Sequence, residues 1–595
     1  MRSTGAWVIT VAVMLTSGCG NGGTGHLADG GPGSNGDAGP PVAHIVVAPD
    51  SATLTVTDSA PAAQAYTATL VQADGTQSDV TGQVAWTLAD SAYGAVTGAT
   101  LTVSGGGAGP SQIFAQLDNA IGAATFTVYV HGTRTEGTLP TDGSLPGLFA
   151  AATEDPTRAP SMVYPADGIL VPPNLGQFDV HWADTTGNDV WEVKMANAYI
   201  DLRIYTQGLD PSLPTYTLFN PTEWYPIAST KQTLSLSVAG LQLASPATKG
   251  TAATQHVDVT NENAKGGIYY WSTTTGGIQR YDVGTPDVPP APMFGGTPGD
   301  PSGCMGCHSL SRDGKNIAVT NYGGGANAVY DVATHAQLMA ASWNFTTFTH
   351  DGGKIVGVEN GTMSLYDVVG GGSNLATLTN STGMAADHPD LSADDTKLTN
   401  VESPGAGGGG GDLSASSGSI VVRSFDTSTN TFGPVTTLVP GDVSTGINNY
   451  YPSFSPDGEW IAYSRVTNGS VSYNASSAEV WVVKSDGSLP PVQLLAADQT
   501  GVLTNSWPRW VPYAQSAGST NRQLFYLTFS STRPFGVRIP GGGRPQIWMT
   551  PFFPDQALLG LDPSGPMFRV PFQDVHTANH IAQWTQQVVA TTPVN

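Results

Sequence analysis

Three things are scarce in this chain: basic residues, cysteine and long apolar runs. Of its 595 residues, 22 are Lys or Arg against 46 Asp or Glu, so the formal net charge is −24. An acidic field repels phosphate and no basic stripe is present, which excludes nucleic acid as a partner. Charged residues make up only 11%, well below the roughly 25% of an average soluble domain. The three cysteines cannot build a disulfide framework. The only long apolar run, Ala6 to Leu15, is too short for a permanent membrane span. Also missing are H-E-x-x-H, G-x-x-x-x-G-K-[ST] and G-x-S-x-G, and with them the zinc-protease, P-loop and serine-hydrolase chemistries. A G-x-G-x-x-G match occurs only inside the polyglycine run 405–412, which reads as a loop. The Asp394-Asp395 pair sits at a turn, where capping explains it better than acid/base catalysis.

What is plentiful is glycine, 73 residues, together with Ser and Thr in short alternating runs. This composition reads as an extracytoplasmic β-protein, and the strand-sized runs and the repeat described below predict an all-β, multidomain fold of two β-sandwiches followed by a six-bladed β-propeller. Arg2, the apolar run and the small residues Thr16-Ser17-Gly18 before Cys19 read as a signal peptide over 1–19. The segment resembles a bacterial lipoprotein signal, although Thr16 stands where the usual Leu would be. That resemblance implies a lipid on Cys19 as the membrane contact. With Gly20 rather than Asp after it, it also implies an outer-membrane location facing the periplasm or cell surface. Residues 20–42 have no periodicity and read as a flexible tether.

Residues 43–132 resemble a bacterial Ig-like domain in the runs "VAPDSATLTVTD" and "FTVYVHG", which implies a stalk. A linker is expected over 133–157. Residues 158–284 weakly resemble a fibronectin type III sandwich, with strands carrying Trp182 and Trp271, and 285–303 reads as a second linker. From Cys304 a repeat takes over: "HSLSRDGKNIAVTNY" (308–322), "TTFTHDGGKIVGVEN" (346–360), "PDLSADDTKLTNVES" (389–403) and "PSFSPDGEWIAYSRV" (452–466). Each is a strand, an Asp-centred turn and a second strand. These units resemble the Ser-Pro-Asp-Gly repeats of TolB-like propellers, most clearly at Ser455-Pro456-Asp457-Gly458. Over 304–593 five blades can be traced, and "HIAQWTQQVVA" (580–590) is expected to complete a sixth with the start of the domain.

Cys304-Met305-Gly306-Cys307-His308 is C-x-x-C-H, the attachment sequence of c-type haem. Two thiols three positions apart can each form a thioether to one porphyrin edge, and the adjacent imidazole then reaches the iron. With 3 Cys and 11 His in the chain, a chance pentad has odds on the order of 10⁻⁴. A thioredoxin-like dithiol lacks its βαβ setting, and a partial zinc site or structural pair is the remaining alternative. The pentad resembles the motif of cytochromes c, which implies one covalent haem c on Cys304 and Cys307 with His308 as proximal ligand. The resemblance ends after five residues, because the blade turn Ser311-Arg312-Asp313-Gly314 follows at once.

Superposing that turn on Ser455-Pro456-Asp457-Gly458 puts Cys307 over Tyr451, His388 and Trp507. In a propeller the first strand of each blade lines the channel, so these residues are expected to converge on one mouth. Tyr451 and Trp507 would edge the haem. His388 or His580 is the candidate sixth ligand, with Met339, Met363, Met384 or a vacant position also open. The functional expectation is electron transfer with a redox partner protein. The alternatives are a haem oxidoreductase or peroxidase using the channel for a small-molecule substrate, and a TolB-like protein-binding scaffold with a structural or sensory haem.

Overall fold

The computed structural model describes residues 42–591 apart from 211, 213–214, 296–304, 322–326, 344, 405–416, 468–474 and 499–503. The signal segment, Cys19, the tether and Cys304 lie outside the described residues.

Six sheets form the propeller. Blade 2 comprises Met305–Leu310, Asn316–Asn321, Asn327–Asp331 and Gln337–Ala341, and blade 3 comprises Thr346–Phe348, Lys354–Glu359, Thr362–Asp367 and Ser373–Thr377. Blades 4, 5 and 6 start at Met384–Leu391, Asn448–Phe454 and Ser506–Ser516. Blade 1 is composite: Gly267–Ser272, Gly277–Asp282 and Ala291–Gly295 are completed by Asn579–Trp584, which pairs antiparallel with Gly267–Ser272. The six innermost strands neighbour one another in a closed circle, blade 6 meeting Asn579–Trp584 and that strand meeting blade 2.

The repeat has a common turn chemistry. In blade 5 the Ser455 hydroxyl donates to Asp457 and accepts the Trp460 N–H at 2.9 Å, while Gly458 N–H donates to the Ser455 carbonyl. Blade 2 repeats this with Ser311, Asp313 and Asn316, blade 3 with Thr349, Asp351 and Lys354, and blade 4 with Ser392, Asp394 and Lys397. The turn's last position is left-handed in all four, at Gly314, Gly352, Asp395 and Gly458. Asp395 occupies it without glycine, and its carboxylate accepts the His350 N–H from the neighbouring blade.

Several expected boundaries move. Gly267–Asp282 belongs to the propeller, not to a sandwich ending at 284, and Ala291–Gly295 is a blade strand within the expected linker 285–303. An alternating apolar run looks the same in any sheet, and its partner here lies about three hundred residues away. Residues 133–157 are not a spacer either. The strand Ala120–Thr135 pairs with Gly109–Leu117 and Ser51–Thr57 in the first sandwich, then runs parallel to Ile200–Thr206 of the second. One sheet therefore crosses both sandwiches. Arg134, inside the expected linker, is paired with Glu136 and Glu223. The helix Ser144–Ala151 buries Leu145 and Phe149 against Val190, Tyr205 and Leu241.

The second sandwich is docked on blade 6. Tyr526 donates to the Leu170 carbonyl, Thr260 bonds Gln515, and Tyr164 and His181 pack on Phe535 at 5.0 and 4.8 Å between ring centroids. Gly536 closes this contact. At φ +48°, a Cβ there would lie 1.9 Å from His181 Nδ1, so a side chain is excluded by both backbone and space.

Two stability effects follow from these contacts. Ser455→Ala removes the acceptor of the buried Trp460 N–H and is expected to cost about 1–3 kcal/mol in denaturant unfolding. His181 is fully buried with both ring nitrogens unpartnered among the described residues, and desolvation, helped by Arg538 and Arg569, lowers its pKa from 6.5 to about 3. The unfolded chain takes up a proton near 6.5 that the folded chain refuses until about 3. Its stabilising share is therefore complete above pH 6.5 and falls as pH drops, by about 1.4 kcal/mol per unit. Neighbouring Asp179, whose carboxyl burial raises, opposes this. His181→Phe is expected to flatten the loss of melting temperature between pH 7 and pH 5 relative to the parent chain.

Candidate functional site at the channel mouth

The innermost strands carry a shared irregularity. Register shifts interrupt the pairing at 305/308 in blade 2, 387/390 in blade 4, 450/453 in blade 5, 506/509 in blade 6 and 269/271 of blade 1, opposite Ile581. A β-bulge re-aims the residue it carries. In four blades that residue is left-handed without being glycine: His388 (φ 49°), Tyr451 (51°), Trp507 (55°) and Ile581 (53°). For a branched or bulky side chain this is a costly backbone.

These residues meet. Tyr451 and Trp507 stack with centroids 3.7 Å apart, and His388 lies 4.5 Å from Tyr451, 6.1 Å from Trp507 and 4.2 Å from Phe345. Phe345, Tyr451, Trp507, Ile581 and the half-buried Cys307 belong to one apolar cluster, with Trp271 packed against it. Each of the six blades thus contributes one residue to a ring: Ile581, Cys307, Phe345, His388, Tyr451 and Trp507. The repeat register anticipates Cys307, His388, Tyr451 and Trp507. It misses Phe345, which the same count back from Thr349-His350-Asp351-Gly352 would have found.

His388 is 4% exposed, and neither ring nitrogen has a hydrogen-bond partner among the described residues. Desolvation, with a smaller contribution from Arg509, lowers its pKa well below the ordinary value. His308 is also buried, with Nδ1 3.2 Å from the Gly306 carbonyl and Nε2 3.2 Å from the Tyr269 carbonyl of blade 1. Burial drives its pKa down to about 4. The neutral imidazole has one N–H and can satisfy only one of these carbonyls, while the other faces a lone pair. His580 packs on Trp271 at 5.7 Å and does not line the cavity shared by Cys307, His308 and His388. His388 is therefore the better placed of the two sixth-ligand candidates.

That cavity has a volume of about 50 Å³. It has room for a few waters, against roughly 300–1,000 Å³ for an organic ligand pocket. This cavity is too small for an organic substrate, and a porphyrin would have to be held at the mouth. The donor set there suits one: a thiol packed on an aromatic ring, an imidazole caught between two acceptors, and a second imidazole with both nitrogens unused. A larger cleft of 930 Å³ lies between the two sandwiches. Of the cations lining it, Arg134, Arg203 and Lys231, the two arginines are already paired with carboxylates.

No family model and no curated protein matches the chain. Solved structures do. A protein described as TolB from Agrobacterium tumefaciens aligns over 52% of this chain and 89% of its own, at 13% identity and TM-score 0.27. The Cps50 (Swd1) β-propeller domain of Myceliophteria thermophila covers 48% and 89% at 12% and 0.28. A Bacteroides uniformis protein described as a 6-phosphogluconolactonase covers 52% and 82% at 14% and 0.32. The assignment of a propeller rests on the sheets and their circular order.

Trp507→Ala removes the stacked ring from the mouth and is expected to cost about 3–5 kcal/mol. Denaturant unfolding followed by intrinsic fluorescence measures it.

Proposed function

We propose that this chain is an exported monohaem c-type protein that carries electrons, with haem attached through Cys304 and Cys307 at the mouth of the propeller channel. The observation that carries the reading is the C-x-x-C-H pentad at the start of an inner strand whose mouth ring contains a second, unpartnered imidazole. The bound group would supply a one-electron iron couple. Cys304 and Cys307 would hold it covalently, and His308 would be the proximal ligand, exchanging the Tyr269 carbonyl for the metal. Its Nδ1 contact with the Gly306 carbonyl is the kind of second hydrogen bond that orients a ligating imidazole. His388, kept neutral by burial, has a lone pair to offer as a second ligand. Tyr451, Trp507 and Phe345 would keep water from the bound group and lower the local dielectric, which would favour the less charged state of the couple.

The small channel weighs against the oxidoreductase alternative that uses it as a substrate site. The Ig-like and fibronectin-like resemblances support a spacer role for the sandwiches, and a lipid on Cys19, which the resemblance to a lipoprotein signal implies, would anchor the chain at the outer membrane. Because the second sandwich is docked on blade 6, that spacer would hold the propeller at a fixed orientation.

Protein matured in a periplasm with haem-attachment machinery is expected to show a covalent, low-spin visible spectrum that does not change with carbon monoxide. His388→Ala is expected to convert it to a high-spin form that binds carbon monoxide, while His580→Ala leaves it unchanged. Absence of covalent haem in the parent chain would overturn the reading.

A further inference from the structure

The cleft of 930 Å³ between the two sandwiches is within the roughly 300–1,000 Å³ of an organic ligand pocket. Bonds that cross from one sandwich to the other fix its form. The Ala108 N–H of the first donates to Ser229 Oγ of the second at 2.9 Å, at the end of the helix Pro221–Ser229. Arg134, on the strand that runs through both, donates to Glu223 at 2.6 Å and to the Leu218 carbonyl at 2.7 Å. The cleft is therefore preformed.

Its lining argues against three ligand classes. A polyanion meets a chain of net charge −24 and two arginines already paired, with Lys231 as the remaining cation. An apolar ligand finds little to cover, since Val56, Val130 and Ile204 of the floor are already buried in the core. An extended peptide gains main-chain bonds by adding to a free sheet edge, yet the floor strands Ala120–Thr135 and Ile200–Thr206 are each paired on both sides. What the cleft offers is neutral and polar. Ser59, Ser104, His131 and Asn263 line it, exposed and without a side-chain hydrogen bond among the described residues. Asp58 and Asp90 accept the Thr133 and Ala92 N–H groups through one oxygen each and keep the other for further donors. Pro173 and the half-buried Tyr225 add apolar faces.

We propose that this cleft binds a short neutral oligosaccharide. Sugar hydroxyls both donate and accept, which matches a lining of hydroxyl, amide, imidazole and carboxylate groups, and sugar C–H faces pack on Tyr225 and Pro173. The sandwiches would then hold a glycan as well as space the propeller, and this site does not depend on haem attachment.

The full chain is applied to an array of neutral hexose and N-acetylhexosamine oligosaccharides, with uronic-acid oligosaccharides and a random heptapeptide pool as comparisons, and the strongest neutral binder is titrated by calorimetry. Binding of a neutral sugar is expected. Ser104→Trp and Asn263→Trp, one from each sandwich, are expected to abolish it with the melting temperature unchanged, and Asn263→Ala to weaken it several-fold through loss of one hydrogen-bonding group. Tighter binding of uronic-acid sugars that Lys231→Ala removes would mean an acidic ligand and overturns the proposal. Binding of the peptide pool alone, neutral-sugar binding that survives both Trp variants, or no sugar binding overturns it too. If a Trp variant fails to fold, crystals of the parent chain soaked in the titrated sugar decide the case: density in the cleft supports the proposal and an empty cleft overturns it.

Discussion

Everything at the candidate site depends on one seam, the antiparallel pairing of Gly267–Ser272 with Asn579–Trp584. A propeller with an open ring would leave two sheet edges and an unfilled channel. The seam instead ties the last strand of the chain to a hairpin that precedes the first complete blade. It places Ile581 in the ring beside Cys307 and sets the Tyr269 carbonyl 3.2 Å from His308 Nε2. It also joins the propeller to the second sandwich, since that hairpin leaves the sandwich directly. Trp584 and Ala582 lie in the same continuous core as the sandwich residues Val171 and Trp224.

How much of this was legible follows from which interactions are local. The Ser-x-Asp-Gly turn bonds within five residues, so it leaves the same trace in each blade and gives the repeat and its register. From that register the convergence of Cys307, His388, Tyr451 and Trp507 is legible in the sequence alone. What is not legible depends on distant partners. The hairpin Gly267–Asp282 alternates like any strand and so reads as part of the sandwich. Thr133 to Thr135 reads as a polar spacer because nothing nearby announces Ile200–Thr206. Arg509 and Asp390 carry no local signature either, since the layer they form two residues below the ring is a property of the closed channel.

The mouth ring is built against backbone preference. Four non-glycine residues in the left-handed region each carry a cost of order 1–3 kcal/mol, and three of them are followed by proline, at Pro389, Pro452 and Pro508. Burial of large rings offsets it: Tyr451 is fully buried and Trp507 nearly so, stacked face to face. The bulges turn these side chains inward, where a regular strand would have left the next residue facing the channel. Repetition of the device in four blades indicates that the position of the ring, and not any one contact in it, is what the fold maintains.

The two histidines at the mouth sharpen this point. If the ring served only to plug the channel, Phe or Leu at 388 would fill the space without burying two unpartnered nitrogens, each costing about 1–3 kcal/mol. Likewise His308 is held neutral by burial and can satisfy only one of the two carbonyls its nitrogens face. Local conflicts of this kind concentrate at functional sites, because elsewhere a simpler residue is more stable. An electron-pair acceptor near these nitrogens would remove both conflicts at once. The C-x-x-C-H pentad contains one of them, His308, and the fold brings the other, His388, to the same cavity.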